Sequence, residues 1–308
     1  MIVTLTPNPS IDRTIAVDHL DVGEVNRAHS VLIDPGGKGV NVSRALAANG
    51  VSTTAILPLG GPDGDLHSSL LDAAGLAHVA VGIDGNTRTN VAIVDPRGRT
   101  TKVNEPGPEL SDVEVAALRA AIPSDADWVV LCGSLPRGTD VTLFTDLVAG
   151  HRGRVVVDTS GPPLAATVAA SPYLVKPNRE ELEELVGRSL ATLGDVGAAC
   201  RELVAGGIAV VVASLGADGA LLTTADGAWL AKAPVENPLS TVGAGDCLLA
   251  GVLSALAADL PPAEVIARGV AWGSAAVSLP GSQVPGPDDI ARIAVTALEI
   301  DDALVLTD

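Results

Sequence analysis

Positive charge is scarce in this sequence of 308 residues. Its 19 Lys and Arg stand against 37 Asp and Glu, which gives a formal net charge of −18. A surface of that sign repels DNA, RNA and anionic lipid headgroups, so the charge balance argues against a broad polyanion-binding face. Aromatic residues make up only 2% of the chain, which leaves no stacking platform for single-stranded nucleic acid. We therefore expect no nucleic-acid partner.

Long hydrophobic runs and patterned cysteines are also missing. No apolar stretch reaches the roughly 18 residues that a membrane-spanning helix needs, and the N-terminus lacks the basic and apolar regions of a signal peptide. The cysteines, Cys132, Cys200 and Cys247, follow no disulfide or metal-ligand spacing, which predicts reduced and buried thiols. These absences predict a cytoplasmic protein without a membrane partner.

Hydrophobic residues, in contrast, make up 47% of the chain, and short β-rich runs alternate with amphipathic helical segments. The Val- and Ile-rich runs lack strict alternation, which is typical of strands buried on both faces of a mostly parallel sheet. This strand–helix alternation predicts a doubly wound α/β domain. The predicted strands are Ile2–Thr6, Thr53–Leu57, Trp128–Cys132, Arg154–Asp158, Tyr173–Val175 and Ile208–Ala213. The predicted helices are Val40–Asn49, Gly64–Ala74, Ser111–Ala121, Asp140–Ala149, Arg179–Val186 and Leu193–Ala205.

Two regions, residues 12–34 and 88–104, break this rhythm because they carry strand-like patterns without helical periodicity. The turn Asp95-Pro96-Arg97-Gly98 separates two such runs and predicts a hairpin. We interpret the two regions as a small antiparallel sheet that forms a lid. The chain as a whole, residues 1–308, is predicted to be one domain with this lid.

Toward its C-terminus the chain departs from the alternation of strands and helices. Strands Ala220–Thr224 and Ala228–Lys232 are predicted to form a β-meander at one edge of the sheet. After Gly243 the chain is predicted to be helical to its end. The predicted helices are Ala244–Ala258, Ala263–Ser278 and Pro287–Glu299.

The first of two glycine clusters is Gly36-Gly37-Lys38-Gly39-Val40-Asn41, directly before an amphipathic helix. Glycines let a substrate approach the backbone closely, and a helix N-terminus favours anions or polar hydroxyls. The alternative is a plain strand-to-helix turn.

The second cluster is Thr241-Val242-Gly243-Ala244-Gly245-Asp246, at the start of another helix. Small residues leave amide N–H groups free to bind one anion, and Asp246 then lies in the first helical turn. One hypothesis is a general base beside an anion hole for phosphoryl transfer; the alternative is a carboxylate that only stabilises the helix end.

Together, these two motifs, about 200 residues apart and in this order, resemble those of the PfkB (ribokinase-like) carbohydrate kinases. Within that family the chain is most similar to 1-phosphofructokinases and tagatose-6-phosphate kinases. The resemblance covers the whole chain. It implies a three-layer α/β/α ribokinase-like fold with a mostly parallel central sheet and a small β-sheet lid, and it implies ATP and Mg²⁺ as cofactors.

The resemblance also implies roles for individual residues. Asp246 matches the catalytic base, with Gly243, Ala244 and Gly245 as the anion hole. Sugar-binding positions are matched by Asp12, Gly37, Lys38, Asn41 and Ser134, and the clamp on the sugar's existing phosphate by Arg88 and Arg137. Nucleotide positions are matched by Lys176, Asn178, Ser214, Gly216 and Gly219, and the Mg²⁺–phosphate shell by Asn178 and Glu181. Ser240 departs from the family, in which an acidic residue is common at this position.

The function implied is phosphorylation of a ketohexose phosphate, first of all fructose 1-phosphate to fructose 1,6-bisphosphate. Tagatose 6-phosphate or fructose 6-phosphate is the alternative substrate. A kinase of an unphosphorylated sugar or nucleoside and a non-catalytic sugar-phosphate sensor are further alternatives. The resemblance also implies a homodimer formed through the lid, because related lids often pair, and the apolar lid residues Val17, Val31, Ile33, Val91 and Ile93 would allow it.

Overall fold

The computed structural model describes residues 1–97, 99–235, 238–298 and 300–307. The strands are β1 (Ile2–Leu5), β2 (Ser10–Val17), β3 (Ala28–Gly36), β4 (Thr53–Leu59), β5 (His78–Gly82), β6 (Arg88–Val94), β7 (Thr100–Asn104), β8 (Trp128–Cys132), β9 (Arg154–Asp158), β10 (Leu174–Val175), β11 (Val210–Ser214), β12 (Ala220–Thr224), β13 (Gly227–Lys232) and β14 (Thr296–Leu298). The helices are α1 (Lys38–Ala48), α2 (Gly61–Ala73), α3 (Asp112–Ala120), α4 (Thr142–Gly150), α5 (Gly161–Val168), α6 (Arg179–Val186), α7 (Leu193–Ala205), α8 (Ala244–Ala257), α9 (Pro262–Val277) and α10 (Pro287–Ile290). None of the helices in these ranges is long and apolar enough to cross a bilayer.

The main sheet has the strand order β14-β13-β12-β11-β10-β9-β8-β1-β4-β5. The pairs from β11 to β5 are parallel, whereas β11–β12, β12–β13 and β13–β14 are antiparallel. From β1 the chain goes first to β4 on one side and later to β8 on the other. The order therefore reverses at β1, and α/β sheets bind ligands in the crevice outside the carboxyl ends of strands at such a point.

Helices cover both faces of this sheet, as predicted for a three-layer fold. Along β8, Val129 and Leu131 pack into one core with α3 to α7. Trp128, Val130 and Cys132 alternate with them and pack into a second core with α1, α8 and α9. Because successive side chains of a strand point to opposite faces, a run of apolar residues fills both cores at once.

The small sheet has the order β3-β2-β6-β7 and corresponds to the predicted lid. The prediction that it is antiparallel is wrong at its centre, where β2 and β6 pair in parallel, with Ser10 opposite Arg88 and Asp12 opposite Asn90. The reason is topological, because both strands leave the carboxyl edge of the main sheet in the same direction. The predicted hairpin joins β6 to β7, although its Gly98 lies outside the described residues.

The end of the chain differs most from the prediction. Where one helix was expected from Pro287 to Glu299, α10 stops at Ile290 and β14 pairs with β13. The antiparallel edge strand β13 offers unpaired backbone groups, and the short segment Thr296–Leu298 satisfies them better as a strand than as a helix. Glu299 itself lies outside the described residues. Sequence reasoning also missed α5 and the short edge strand β5.

Candidate active site

The two glycine clusters meet at the carboxyl edge of the main sheet. Helix α1 begins after Gly37, whose φ of 124° suits glycine, and α8 begins after Gly243, whose φ is 77°. In this arrangement Asn41 Nδ2 donates to Asp246 Oδ2 at 2.9 Å, across 205 residues of sequence. The structure therefore brings together the residues that the sequence placed in separate motifs.

Asp246 lies in the first turn of α8 and is 7% exposed. Burial and the nearby Asp158 carboxylate raise its pKa, while Lys38, Asn41 and Lys176 lower it, and the balance brings the pKa to about 6. A carboxylate with this pKa is mostly ionised at neutral pH yet accepts a proton more readily than an ordinary aspartate. Those are the properties of a general base.

Asp158 is a site residue that the sequence analysis did not single out. It ends β9, is fully buried, and forms ion pairs with Lys38 Nζ at 2.9 Å and with Lys176 Nζ at 3.3 Å. Both lysines hold the pKa of its carboxyl below its usual range despite the burial. The sequence contains a pattern that indicates this residue. Asp158 is a charged residue directly after the three valines of the run Arg154–Asp158, so it lies at the carboxyl end of a central parallel strand.

The lysines place positive charge beneath the N-terminus of α8. Lys176 is 4% exposed, and a Cβ built on Gly245 would lie 3.5 Å from its ammonium nitrogen. The pKa of Lys38 is raised, chiefly by Asp158, so this ammonium stays charged. Two fixed cations and the first N–H groups of a helix form an anion-binding site beside the Asp246 carboxylate.

Asn178 and Glu181 form a capping box at the start of α6. Asn178 Oδ1 accepts from the Glu181 N–H at 2.7 Å, and Glu181 Oε2 accepts from the Asn178 N–H at 2.9 Å. The Asn178 acceptor oxygen is therefore in use, while its Nδ2 has no hydrogen-bond partner among the described residues, so Asn178 offers a donor, which suits a phosphate oxygen better than a cation. Glu181 Oε1 lies outside the box and 4.0 Å from Lys38 Nζ.

A cleft of about 230 Å³ opens beside this capping box. The loop after β11 forms one wall and includes Gly216, at a φ of 57°. Ser214 is tied to the end of β10 by its N–H, which donates to the Pro177 carbonyl at 3.0 Å. The lining residues are Asn178, Arg179, Glu180, Ser214, Leu215, Gly216, Ala217, Leu306 and Thr307. Gly219 closes the loop, with a φ of 93°, and does not line the cleft.

On the opposite side, the small sheet presents polar residues to the first glycine cluster. Asp12 accepts from Ser10 Oγ at 2.7 Å and from Asn90 Nδ2 at 3.1 Å, and burial raises the pKa of its carboxyl. The carboxylate lies so close to Gly36 that a Cβ there would overlap it. Glycine at position 36 therefore leaves room for the neighbouring carboxylate. This favours a functional interpretation of the first glycine cluster over a plain strand-to-helix turn.

The two predicted phosphate-binding arginines have different surroundings. Arg88 Nη1 donates to the Glu105 carbonyl at 3.0 Å, and among the described residues its buried Nε has no hydrogen-bond partner. Arg137 is exposed in the loop after β8, three residues from Ser134. Ser134 Oγ accepts from Asn8 Nδ2 at 3.2 Å. Arg88 is therefore held by a hydrogen bond from Nη1 and keeps an Nε–H donor without a partner in the described part of the chain, whereas Arg137 lies on an exposed loop.

Comparisons of the sequence and of the structure with known proteins agree with one another. Residues 5–289 match the pfkB family carbohydrate kinases. The chain is 39% identical over 305 residues to 1-phosphofructokinase of Rhodobacter capsulatus, covering 96% of each chain, and 37% identical over 292 residues to that of Haloferax volcanii, covering 94% of this chain and 95% of the relative. A crystal structure of phosphofructokinase-2 from Escherichia coli in complex with substrates and products has a TM-score of 0.90 and 35% identity, covering 94% of this chain and 97% of that one.

Proposed function

This chain belongs to the pfkB family of carbohydrate kinases, and we propose that it transfers the γ-phosphoryl group of ATP to fructose 1-phosphate, forming fructose 1,6-bisphosphate. The observation that carries the proposal is the buried Asp246 carboxylate, which lies at the N-terminus of α8 and accepts from Asn41. The choice of fructose 1-phosphate is supported by the relatives that are 1-phosphofructokinases at 37% and 39% identity.

In this mechanism Asp246 takes the proton from the free primary hydroxyl of the sugar phosphate. The hydroxyl oxygen then attacks the γ-phosphorus while the bond from that phosphorus to the bridging oxygen of ADP breaks. Negative charge on the transferring group is stabilised by the N–H groups of Gly243, Ala244 and Gly245 and by the nearby Lys38 and Lys176. Phosphoryl transfer of this kind depends mainly on positioning and electrostatic stabilisation.

The sugar phosphate binds between the main sheet and the small sheet. Carboxylate and amide groups suit sugar hydroxyls, and the fork of a guanidinium pairs with a phosphate bidentately. We assign the hydroxyl contacts to Asp12, Gly37, Lys38, Asn41 and Ser134, and the phosphate contacts to Arg88 and Arg137. The Nε–H of Arg88, which has no hydrogen-bond partner in the ranges that the structure describes, supports its role in holding the phosphate.

The nucleotide occupies the cleft beside α6, with Lys176, Asn178, Ser214, Gly216 and Gly219 around its phosphates and ribose. Mg²⁺ commonly uses one or two carboxylates together with phosphate oxygens and water. The described residues contain no cluster of three metal-ligating side chains, and Glu181 Oε1 stands outside its capping box, so the site fits a Mg²⁺ ion that arrives with the nucleotide. Glu181 would hold the ion, which neutralises phosphate charge when bound, while Asn178, whose Oδ1 is already used by the capping box, would contribute to this shell by donating to a phosphate oxygen.

The small sheet also supports a homodimer, because its two faces differ. Cross-strand partners share a face, and Ile15, Val31 and Ile93 lie opposite one another on the face away from Asp12 and Asn90. Ile33 and Val91 belong to the same face, whereas Val17 is buried within the chain and is not available. We expect a dimer in analytical ultracentrifugation and a monomer for Val31→Glu; a monomeric parent protein would refute the dimer.

A cytoplasmic location is also part of the proposal. It is supported by the cysteines Cys132, Cys200 and Cys247, which are buried and unpaired in the described part of the chain. Expression of the full chain with a fluorescent tag would test it, and secretion would contradict it.

The function is tested by an ATP-consumption assay across fructose 1-phosphate, fructose 6-phosphate, tagatose 6-phosphate, ribose and adenosine. We expect the highest kcat/KM for fructose 1-phosphate. A higher value for either 6-phosphate would select the alternative substrate, and turnover of ribose or adenosine alone would remove the roles of Arg88 and Arg137. Binding of a sugar phosphate without any turnover would identify a sensor.

The assignment of the base is tested by Asp246→Asn. Loss of the proton acceptor should lower kcat by about 10²–10⁴-fold, while the Kd for a non-hydrolysable ATP analogue stays within a few-fold. Asp226→Asn, in an exposed turn, is the matched control and should leave kcat unchanged. A near-parental kcat for Asp246→Asn would refute this assignment.

A further inference from the structure

The C-terminal segment, residues 300–307, runs beside the start of α7 and ends at the cleft proposed for the nucleotide. The Leu193 N–H donates to the Leu304 carbonyl at 2.9 Å, and the Leu306 N–H donates to the Ala191 carbonyl at 3.0 Å. Leu306 is 7% exposed and belongs to the core beneath α7. The segment is therefore held in one place before it reaches the cleft, where Leu306 and Thr307 form part of the lining.

Asp218 connects this segment to the loop on the other wall of the cleft. Its Oδ2 accepts from both the backbone N–H and the hydroxyl of Thr307, each at 2.7 Å. Its Oδ1 accepts from Lys232 Nζ at 3.0 Å. Asp218 is 6% exposed, and its position between Gly216 and Gly219 puts it in the loop that the proposed function assigns to the nucleotide.

Hydrogen bonds within this loop hold the backbone at Asp218. The Asp218 N–H donates to the Leu215 carbonyl at 3.0 Å, and the Leu215 N–H donates to the Gly219 carbonyl at 2.9 Å. At Gly219 a Cβ would overlap the Ala231 carbonyl of β13. The loop is thus packed against β13, its residues Leu215, Gly216 and Ala217 line the cleft, and the carboxylate of Asp218 bonds to the C-terminal segment.

We propose that Asp218 is a positioning residue for the nucleotide, which holds Thr307 so that the C-terminal segment forms one wall of the nucleotide cleft. Asp218 does not touch the nucleotide. It acts through Thr307 and through the loop at Gly216, and the proposal rests on the nucleotide binding in this cleft. Without this link Thr307 loses its two short hydrogen bonds to the loop and keeps the longer one, at 3.4 Å, from Arg179 Nη1 to its carbonyl, so its part of the cleft wall is held less firmly.

The test uses Asp218→Asn and Thr307→Val in the full-length chain, with Val305→Ala as the matched control. Val305 belongs to the same segment but is 70% exposed and does not line the cleft. The readouts are the Kd of a non-hydrolysable ATP analogue measured by calorimetry without sugar phosphate, the KM for ATP, and the KM for fructose 1-phosphate.

We expect Thr307→Val, which removes one hydrogen bond to a carboxylate, to raise the Kd of the analogue by about 10-fold, and Asp218→Asn to raise it at least as much. The KM for ATP should rise in parallel, the KM for fructose 1-phosphate should stay within about 2-fold, and Val305→Ala should match the parent. Thr307 is exposed, and Thr307→Val removes only its hydroxyl, so this variant keeps the test valid if Asp218→Asn unfolds.

Three outcomes would overturn this inference. The first is an unchanged Kd in a folded Thr307→Val protein. The second is a parallel rise in both KM values, which would mean a general structural role. The third is an equal effect of Val305→Ala. A parent protein that does not bind the analogue at all would instead refute the proposed function, so the two failures are distinguishable.

Discussion

The two sides of the site that we propose for the sugar phosphate and for the nucleotide, called the sugar side and the nucleotide side, are built by different means. On the sugar side, side chains of the small sheet bond to one another, with Ser10 and Asn90 both donating to Asp12. On the nucleotide side, backbone groups dominate, through the capping box at Asn178 and the loop closed between Leu215 and Gly219. Asp158 and its two lysines lie between the two sides.

This difference predicts how each side responds to substitution. Side chains that satisfy one another before the substrate arrives must exchange partners when it binds, so affinity there depends on individual residues. A wall made of backbone keeps its shape when a side chain that does not anchor it is replaced, and Asp218 is an anchor through Thr307. Apart from Asp218 and Thr307, we therefore expect single substitutions to act more strongly on the KM for the sugar phosphate than on the KM for ATP.

The largest effect is expected at the residue that both sides share. Asp158→Asn leaves the buried Lys176 and the partly exposed Lys38 beside a neutral amide, and removing one partner of a buried ion pair, such as that with Lys176, costs about 3–5 kcal/mol. We expect kcat/KM to fall by at least about 100-fold for both substrates, together with a lower Tm. Steady-state kinetics and thermal unfolding measure this. An effect on only one substrate would mean that Asp158 belongs to that side alone.

A smaller effect, confined to the sugar side, is expected for Arg88→Ala. Loss of a charge-assisted hydrogen bond of about 1.5–3 kcal/mol should raise the KM for the sugar phosphate by about 10–100-fold, with the KM for ATP within 2-fold. Arg137→Ala is the comparison, and since Arg137 is exposed it should have the weaker effect. Equal changes in both KM values would remove Arg88 from the phosphate site.

Two capping boxes offer a matched pair for the nucleotide side. Asn178 caps α6 inside the site, and Ser111 caps α3 outside it in the same way. Replacing either cap with alanine should cost about 1 kcal/mol of stability. Only Asn178→Ala should also raise the KM for ATP, by a few-fold. If Ser111→Ala raises it equally, the change at Asn178 reflects helix stability and not ligand contact.

The smallest effect is a shift in pH dependence. With Asp246 at a pKa of about 6, kcat/KM should fall as the pH drops below 6, because the protonated base is inactive. Asn41→Ala removes a hydrogen bond that lowers this pKa, so the acid limb should move to higher pH by less than about one unit. A pH–rate profile measures this, and a shift to lower pH would contradict it.

The Asp246 carboxyl also makes the stability of the folded chain depend on pH. Its pKa in the folded chain is raised from the ordinary value of 3.8, so the folded state binds this proton more tightly than the unfolded state does. Its contribution to stability is therefore complete below about pH 4 and is lost as the pH rises through 6.

Much of this architecture was predictable from local pattern. The strands β8 and β9 and the helices α6 and α7 begin and end where the sequence predicts, because buried Val-rich runs and capping boxes mark their ends. The recognition of the kinase family and of the three-layer fold is confirmed. The roles assigned to individual site residues stay predictions.

The failures have physical reasons. Helix α5 was missed because Gly161-Pro162-Pro163 has the composition of a loop, although proline fits the first helical turn well. Strand β14 depends on pairing with β13, which no local pattern reveals. Asp158 contacts Lys38, 120 residues away, and Asp218 contacts Thr307, 89 residues away. Contacts over such distances become visible only in the folded chain.

The burial of Lys176 has a consequence for the rate at which anionic ligands associate with the site. Lys176 is almost fully enclosed, while the chain as a whole carries a charge of −18, so an approaching phosphosugar or nucleotide meets repulsion before it meets attraction. Added salt screens the outer field over about 10 Å at 0.1 M but hardly reaches the enclosed pairs. Association should therefore become faster with moderate ionic strength, the reverse of what an enzyme with a positively charged entrance shows.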